Sequence, residues 1–82
     1  MEVEGLKITL QLRGPLKKFG PGAEPFNYEV KQESCNVEQL LELLDIPRTA
    51  ISFVSVNGGK VDNSFSISDG DSVVVYPHVA GG

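Results

Sequence analysis

One stretch of this chain carries a helical period, and it constrains the fold more than any other feature. In "SCNVEQLLELLD", Val37, Leu40, Leu41 and Leu44 fall at i, i+3, i+4 and i+7, one stripe of a helix. Asn36 is a good N-cap, and Gln39 three residues later completes a capping-box pattern. Pro47 is expected to stop the helix soon after Leu44. Burying the four stripe residues contributes on the order of 6–12 kcal/mol gross, an upper bound. A lone helix of about two turns has to lay that stripe against a sheet.

The rest of the chain supplies the sheet. In "LKITLQLR", Leu6, Ile8, Leu10 and Leu12 line one face and Lys7, Thr9, Gln11 and Arg13 the other, the alternation of a half-buried strand. "GPLKKFGPGAEP" is read as a loop. "FNYEVK" alternates again, with Phe26, Tyr28 and Val30 on one side, and completes a hairpin. After the helix, "ISFVSVNGGK" returns to period two and ends in the tight-turn pair Asn57-Gly58. "KVDNSFSI" is irregular, with Val61, Phe65 and Ile67 as its apolar anchors. "SDGDS" is a turn, and Val73 to Tyr76 form a short apolar strand closed by Pro77. Strands gathered around one helix indicate an α+β two-layer domain.

The chain has 82 residues, which fits one small domain with a thin core and little room for an enclosed active site. Apolar residues make up 40% and charged residues 22%, the balance of a globular rather than a disordered chain. Eleven acidic and seven basic residues leave a net charge of −4. That argues against nucleic acid, whose phosphates need a basic surface. It is compatible with docking onto a basic patch of another protein, but solubility alone is the preferred reading of the charge. No apolar stretch approaches the roughly 18 residues of a bilayer span, so no membrane partner is expected. "MEVEGLK" lacks the basic and apolar regions of a secretory signal, and the single Cys35 can form no internal disulfide. A cytoplasmic location follows as the expectation.

A catalytic site needs a constellation of groups, and this chain offers one His, one Cys and no Trp. Cys35 precedes the helix, where a thiolate could be stabilised. The simpler reading is a small half-buried residue beside the N-cap. His78 is read as an exposed tail residue. The two fall short of the four ligands of a structural zinc site, so no metal is expected. Glu38/Glu42 and Asp69/Asp71 read as a solvated helix face and a turn. Gly58-Gly59-Lys60 is not a phosphate loop, because no helix with a Ser or Thr after the Lys follows. No residue is assigned as catalytic, no cofactor is expected to bind, and the chain is not read as an enzyme on its own.

The ending "YPHVAGG" stands apart. The unusual group at a chain end is the α-carboxylate, which is inert until another enzyme turns it into an acyl adenylate or similar anhydride. Gly81 and Gly82 have no Cβ to clash and allow close backbone approach in a narrow site. The residues from Pro77 to Gly82 reach about 20 Å when extended. Strand, hairpin, helix, strands and a terminal Gly-Gly resemble the ubiquitin-like β-grasp. "ISDGDSVVVYPHVAGG" resembles more specifically the ThiS/MoaD family of sulfur carriers. That family shows an apolar residue, an acidic-Gly-Asp turn, an apolar strand, a proline and a short tail ending in Gly-Gly. Here those positions are Ile67, Asp69-Gly70-Asp71, Val73 to Tyr76, Pro77 and Val79-Ala80-Gly81-Gly82. "VSVNG" at Val54 to Gly58 resembles the family's Val-Asn strand end, and "LQLRGPLKKFG" its first strand and turn. Length and "PHVAGG" are similar to the molybdopterin synthase small subunit, which commonly has a second proline where His78 stands.

The resemblance implies a mixed four- to five-stranded sheet with the helix on one face. It implies a β-grasp domain over residues 1–76 and a flexible tail over 77–82. The first and last strands should be parallel neighbours in mid-sheet, with Val54, Val56, Val73 and Val75 inward. Phe53, Val74 and Tyr76 then face out as candidate docking residues. The implied chemistry belongs to partners. An E1-like adenylating enzyme of the MoeB/ThiF type adenylates Gly82 with ATP, and Val79, Ala80 and Gly81 thread its channel. A sulfur-donor persulfide enzyme replaces AMP and leaves a C-terminal thiocarboxylate. A synthase large subunit of the MoaE type, or an equivalent acceptor, takes the sulfur for molybdenum or tungsten cofactor synthesis. Alternatives are a thiamine-pathway carrier, a ubiquitin-like modifier conjugated to lysines through Gly82, and an interaction domain whose Gly-Gly is incidental.

Overall fold

The alternation of the first strand is realised side chain by side chain: β1 (Leu6–Leu12) buries Leu6, Ile8, Leu10 and Leu12 and leaves Lys7 in water. The computed structural model describes residues 5–22 and 24–78. β2 (Phe26–Val30) runs antiparallel to β1, with Tyr28 opposite Ile8. A two-residue strand, β3 (Cys35–Asn36), leads into α1 (Val37–Leu43). β4 (Ile51–Val56) and β5 (Gly59–Val61) form a hairpin, β6 (Ser66–Ile67) pairs with β3, and β7 (Ser72–Pro77) returns through the middle. The sheet is five-stranded, in the order β2-β1-β7-β4-β5, with β1 and β7 parallel. This is the mixed sheet and single main helix expected from the sequence.

The helix starts as its sequence dictates. The Gln39 amide donates to Asn36 Oδ1 at 2.8 Å, and the Asn36 amide donates to Gln39 Oε1 at 2.9 Å. Val37, Leu40 and Leu41 are buried in one core with the inner side chains of β1, β4 and β7, while Leu44 is half-buried. The stop differs from expectation. Asp45 turns into the left-handed region at φ 58, two residues before Pro47. Its amide donates to the Glu42 carbonyl and that of Ile46 to the Leu41 carbonyl, both at 3.1 Å. These are the two bonds of a Schellman motif, with Ile46 buried behind them. A backbone cap therefore ends the helix, and Pro47 only follows it.

Three other expectations change. The stretch read as a plain loop contains a 3-10 turn, Gly14–Phe19, held down by buried Leu16. Phe65 is not a core anchor: its side chain is 39% exposed. Its segment docks through backbone, the Val37 and Glu38 amides donating to the Phe65 and Asn63 carbonyls at 3.0 Å. Cys35 is fully rather than half buried, in the small β3–β6 ladder that periodicity is too coarse to reveal.

The Asn57-Gly58 and Asp69-Gly70-Asp71 turns prove to be one unit. Asn57 at φ 53 and Gly58 at φ 85 make the type I′ turn that joins β4 to β5. Across to the start of β7, the Asn57 amide donates to the Ser72 carbonyl at 2.8 Å, and Asn57 Oδ1 accepts from the Ser72 amide at 2.9 Å. Asp71 takes the Asn57 side-chain amide at 3.0 Å on one oxygen and the Ser68 amide at 2.8 Å on the other. These bonds tie the turns together and set β4 against β7. Asp71→Ala is expected to cost about 2–3 kcal/mol, because two donors lose a charged acceptor. Asp71→Asn, which keeps one acceptor oxygen, should cost less. Urea midpoints for the three proteins check the order. A change below about 0.5 kcal/mol for the alanine variant would make the network ornamental.

Candidate functional site

With α1 on one face of the sheet, the alternate residues of β4 and β7 are left to the other. Val54, Val56, Val73 and Val75 are buried on the helix side. Phe53, Val74 and Tyr76 are half-buried on the opposite side, as the alternation requires. A β-bulge between Ile51 and Phe53 shifts the β4–β7 register and sets Phe53 across from Tyr76. The two rings stack at 4.3 Å between centroids and 15° between planes. Such a pair contributes about 0.5–1.5 kcal/mol beyond its burial. Val74 occupies the next row, between Gln11 and Ser55.

Each ring of the stack also carries a cation. Arg13 Cζ lies 5.5 Å from the Tyr76 centroid, and Lys60 Nζ lies 5.3 Å from that of Phe53. Arg13 is anchored just past β1, its amide donating to the Val75 carbonyl at 3.1 Å. Arg13 just past β1, Tyr76 on β7 and Phe53 on β4 thus follow one another across the face. Lys60 of β5, paired with Ser55 in the next row, leans its ammonium back over Phe53 to complete the row of charges and rings. The sequence reading brought Phe53, Val74 and Tyr76 together but missed the two cations. Arg13 was legible from its place in the β1 alternation. Lys60 was not, because the hairpin register carries it there. A basic partner patch, with which the net charge alone is compatible, does not suit this face, where Arg13 and Lys60 lie over the rings.

The β7 pairing continues past Tyr76. Pro77 sits opposite Ile51, and the His78 amide donates to the Ala50 carbonyl at 3.4 Å. His78 is exposed. Val79, Ala80, Gly81 and Gly82, the residues assigned to threading and activation, lie outside the described residues. Cys35 donates through Sγ to the Asn36 carbonyl at 3.3 Å, and burial pushes its thiol pKa up. It stays protonated near neutral pH, and a thiol is a poor nucleophile. Asp62 accepts from the Ser64 hydroxyl at 2.6 Å and amide at 3.0 Å, bonds that hold its carboxyl below the usual range. Among the described residues no three His, Cys, Asp or Glu side chains are grouped to hold a metal ion. No helix among them is long and apolar enough to cross a membrane.

A parallel first and last strand in mid-sheet and one capped helix beneath define a ubiquitin-like β-grasp fold. Within that class, the chain belongs to the Mut7-C ubiquitin family, whose model matches residues 5–81. Among solved structures, the HVO 2177 protein of Haloferax volcanii is similar at a TM-score of 0.76 and 21% identity, covering 96% of this chain and 89% of that one. SAMP1 of the same organism gives 0.69 and 17%, covering 93% and 99%. The complex of subunits 1 and 2 of the molybdopterin-converting factor from Helicobacter pylori gives 0.60 and 20%, covering 94% and 100%. At these identities the likeness is one of fold. No curated protein sequence gives a significant match.

Proposed function

We propose that this chain is a sulfur carrier whose Gly82 carboxylate is adenylated by an E1-like enzyme and converted to a thiocarboxylate. The observation that carries the proposal is the placement of the aromatic row on β7. The same strand supplies Tyr76 to the exposed face and runs through Pro77 and His78 into the Val79-Ala80-Gly81-Gly82 sequence. A partner docked on the row therefore holds the origin of the tail at a fixed distance from its own active site, and positioning is what such chemistry needs. The carrier supplies the carboxyl and the docking face. The adenylating enzyme supplies ATP chemistry; a persulfide enzyme's outer sulfur displaces AMP to form an acyl disulfide. A second thiol cleaves that S–S bond, becoming a disulfide itself and releasing the thiocarboxylate. The likeness to a molybdopterin-converting factor complex supports a synthase large subunit as acceptor and a molybdenum or tungsten cofactor as end product. A cytoplasmic location goes with that role.

Membership in a ubiquitin family favours a second use of the same activated carboxyl, conjugation to lysines of other proteins. The two uses part at the product: a free thiocarboxylate for the carrier, an amide to lysine for the modifier. The shared first step is tested by ATP–pyrophosphate exchange with the E1-like enzyme of the same organism and this chain as acceptor. Exchange that depends on the chain is expected, and none would contradict the proposal. Tyr76→Asp is expected to weaken binding to that enzyme by about 2 kcal/mol, roughly 30-fold, because it breaks the centre of the row. Its circular dichroism should stay that of the folded chain. Unaltered affinity in a folded variant removes this face from the docking scheme.

A further inference from the structure

We infer that the partner surface docking on this face carries carboxylates placed to meet Arg13 and Lys60, on either side of an apolar insert over Tyr76, Phe53 and Val74. The inference rests on the docking proposed above and adds the chemistry of the partner. Three strand spacings, about 14 Å of backbone, separate β1 from β5, and the two cations lie over the stacked rings between them. Both are exposed, and neither has a carboxylate within ion-pair distance among the described residues, where Arg48 does have Glu38 at 3.1 Å. Two acidic residues of neighbouring strands are otherwise placed. Asp62, two residues beyond Lys60, turns Oδ1 to the Ser64 hydroxyl and amide and makes no ion pair with Lys60. Glu29 sits on β2 opposite Lys7, at the far edge of the sheet.

A partner that covers the rings also strips water from the cations lying over them. An apolar surface alone would leave two charges desolvated and unpaired, which costs more than the contact gains. A second copy of this chain, docked through the same face, would bring the same two cations. Carboxylates answer both positions. The chain as a whole carries a net charge of −4, so an acidic partner is repelled by it at large and accepted at this row. That arrangement orients the encounter as well as strengthening it, and it delivers the end of β7 to the partner in one pose.

The test uses the E1-like adenylating enzyme of the same organism, with the KM for this chain in pyrophosphate exchange measured against ionic strength. Arg13→Glu/Lys60→Glu reverses the row. Lys17→Glu/Lys31→Glu makes the same change in net charge away from it. Arg13→Gln/Lys60→Gln removes the charge without adding repulsion. The reversed row is expected to raise KM by about tenfold or more with kcat retained, and the control to stay within about twofold. The glutamine pair should flatten the rise of KM with salt seen for the parent. Equal effects of row and control, or a parent KM indifferent to salt, overturn the inference while exchange itself stands. A parent chain that supports no exchange defeats the carrier proposal, and this inference falls with it.

Discussion

A chain lacking Gly82 is expected to fold and melt like the parent, yet to lose adenylation by the E1-like enzyme by about 100-fold or more. Deletion leaves a carboxylate on Gly81, about 3.5 Å short of the position that the proposed adenylation needs. Misplacement of a reacting group by about 1 Å already costs on the order of 100-fold. One added Ala after Gly82 should do equal damage, since it moves the carboxyl and puts a Cβ into a channel shaped for none. Gly81→Ala should hurt less, because the carboxyl still arrives if the channel yields. The described core ends with β7, and all of these changes lie beyond it in the sequence. Pyrophosphate exchange measures the loss and thermal melts check the fold. Undiminished exchange by the deletion variant would make the glycines incidental.

The largest effect on stability is expected at the helix stripe. α1 is seven residues long, too short to persist without the sheet beneath it. Leu40 and Leu41 are 0% and 2% exposed, so truncation leaves a cavity in both cases. Leu40→Ala and Leu41→Ala should each cost about 2–5 kcal/mol. That is a large share of the roughly 5–15 kcal/mol that holds such a domain. Glu42→Ala, on the exposed side, should stay within about 0.5 kcal/mol. Urea melts separate the two classes, and equal midpoints would mean that the stripe does not hold the helix to the sheet.

Much of the fold was legible because local and tertiary demands agree. The β1 alternation, the Asn36/Gln39 box and the Asn57-Gly58 turn each have one low-energy outcome, and the structure adopts it. What was not legible depends on contacts between distant residues. Two-residue strands such as Cys35–Asn36 and Ser66–Ile67 carry no period. Leu16 is one apolar residue among Gly, Pro and Lys, so its burial shows only once the turn folds back. Asp45 adopts a left-handed conformation more typical of Gly, and Pro47 drew the prediction instead. Within the candidate site, period two gave the outward direction of Phe53, Val74 and Tyr76. Their stacking and the cation over Phe53 needed the bulge near Ser52 and the β5 register, which no local pattern encodes.

The most direct test concerns the carboxyl itself. The chain is incubated with the E1-like enzyme, ATP, a persulfide donor and a thiol that cleaves the acyl disulfide, and its intact mass is measured before and after. The expected result is a new species heavier by one oxygen-for-sulfur exchange, formed only when ATP and enzyme are both present. Fragmentation should place the exchange at Gly82. An unchanged mass in a reaction that consumes ATP, or a sulfur found on Cys35 in place of Gly82, would contradict the carrier function.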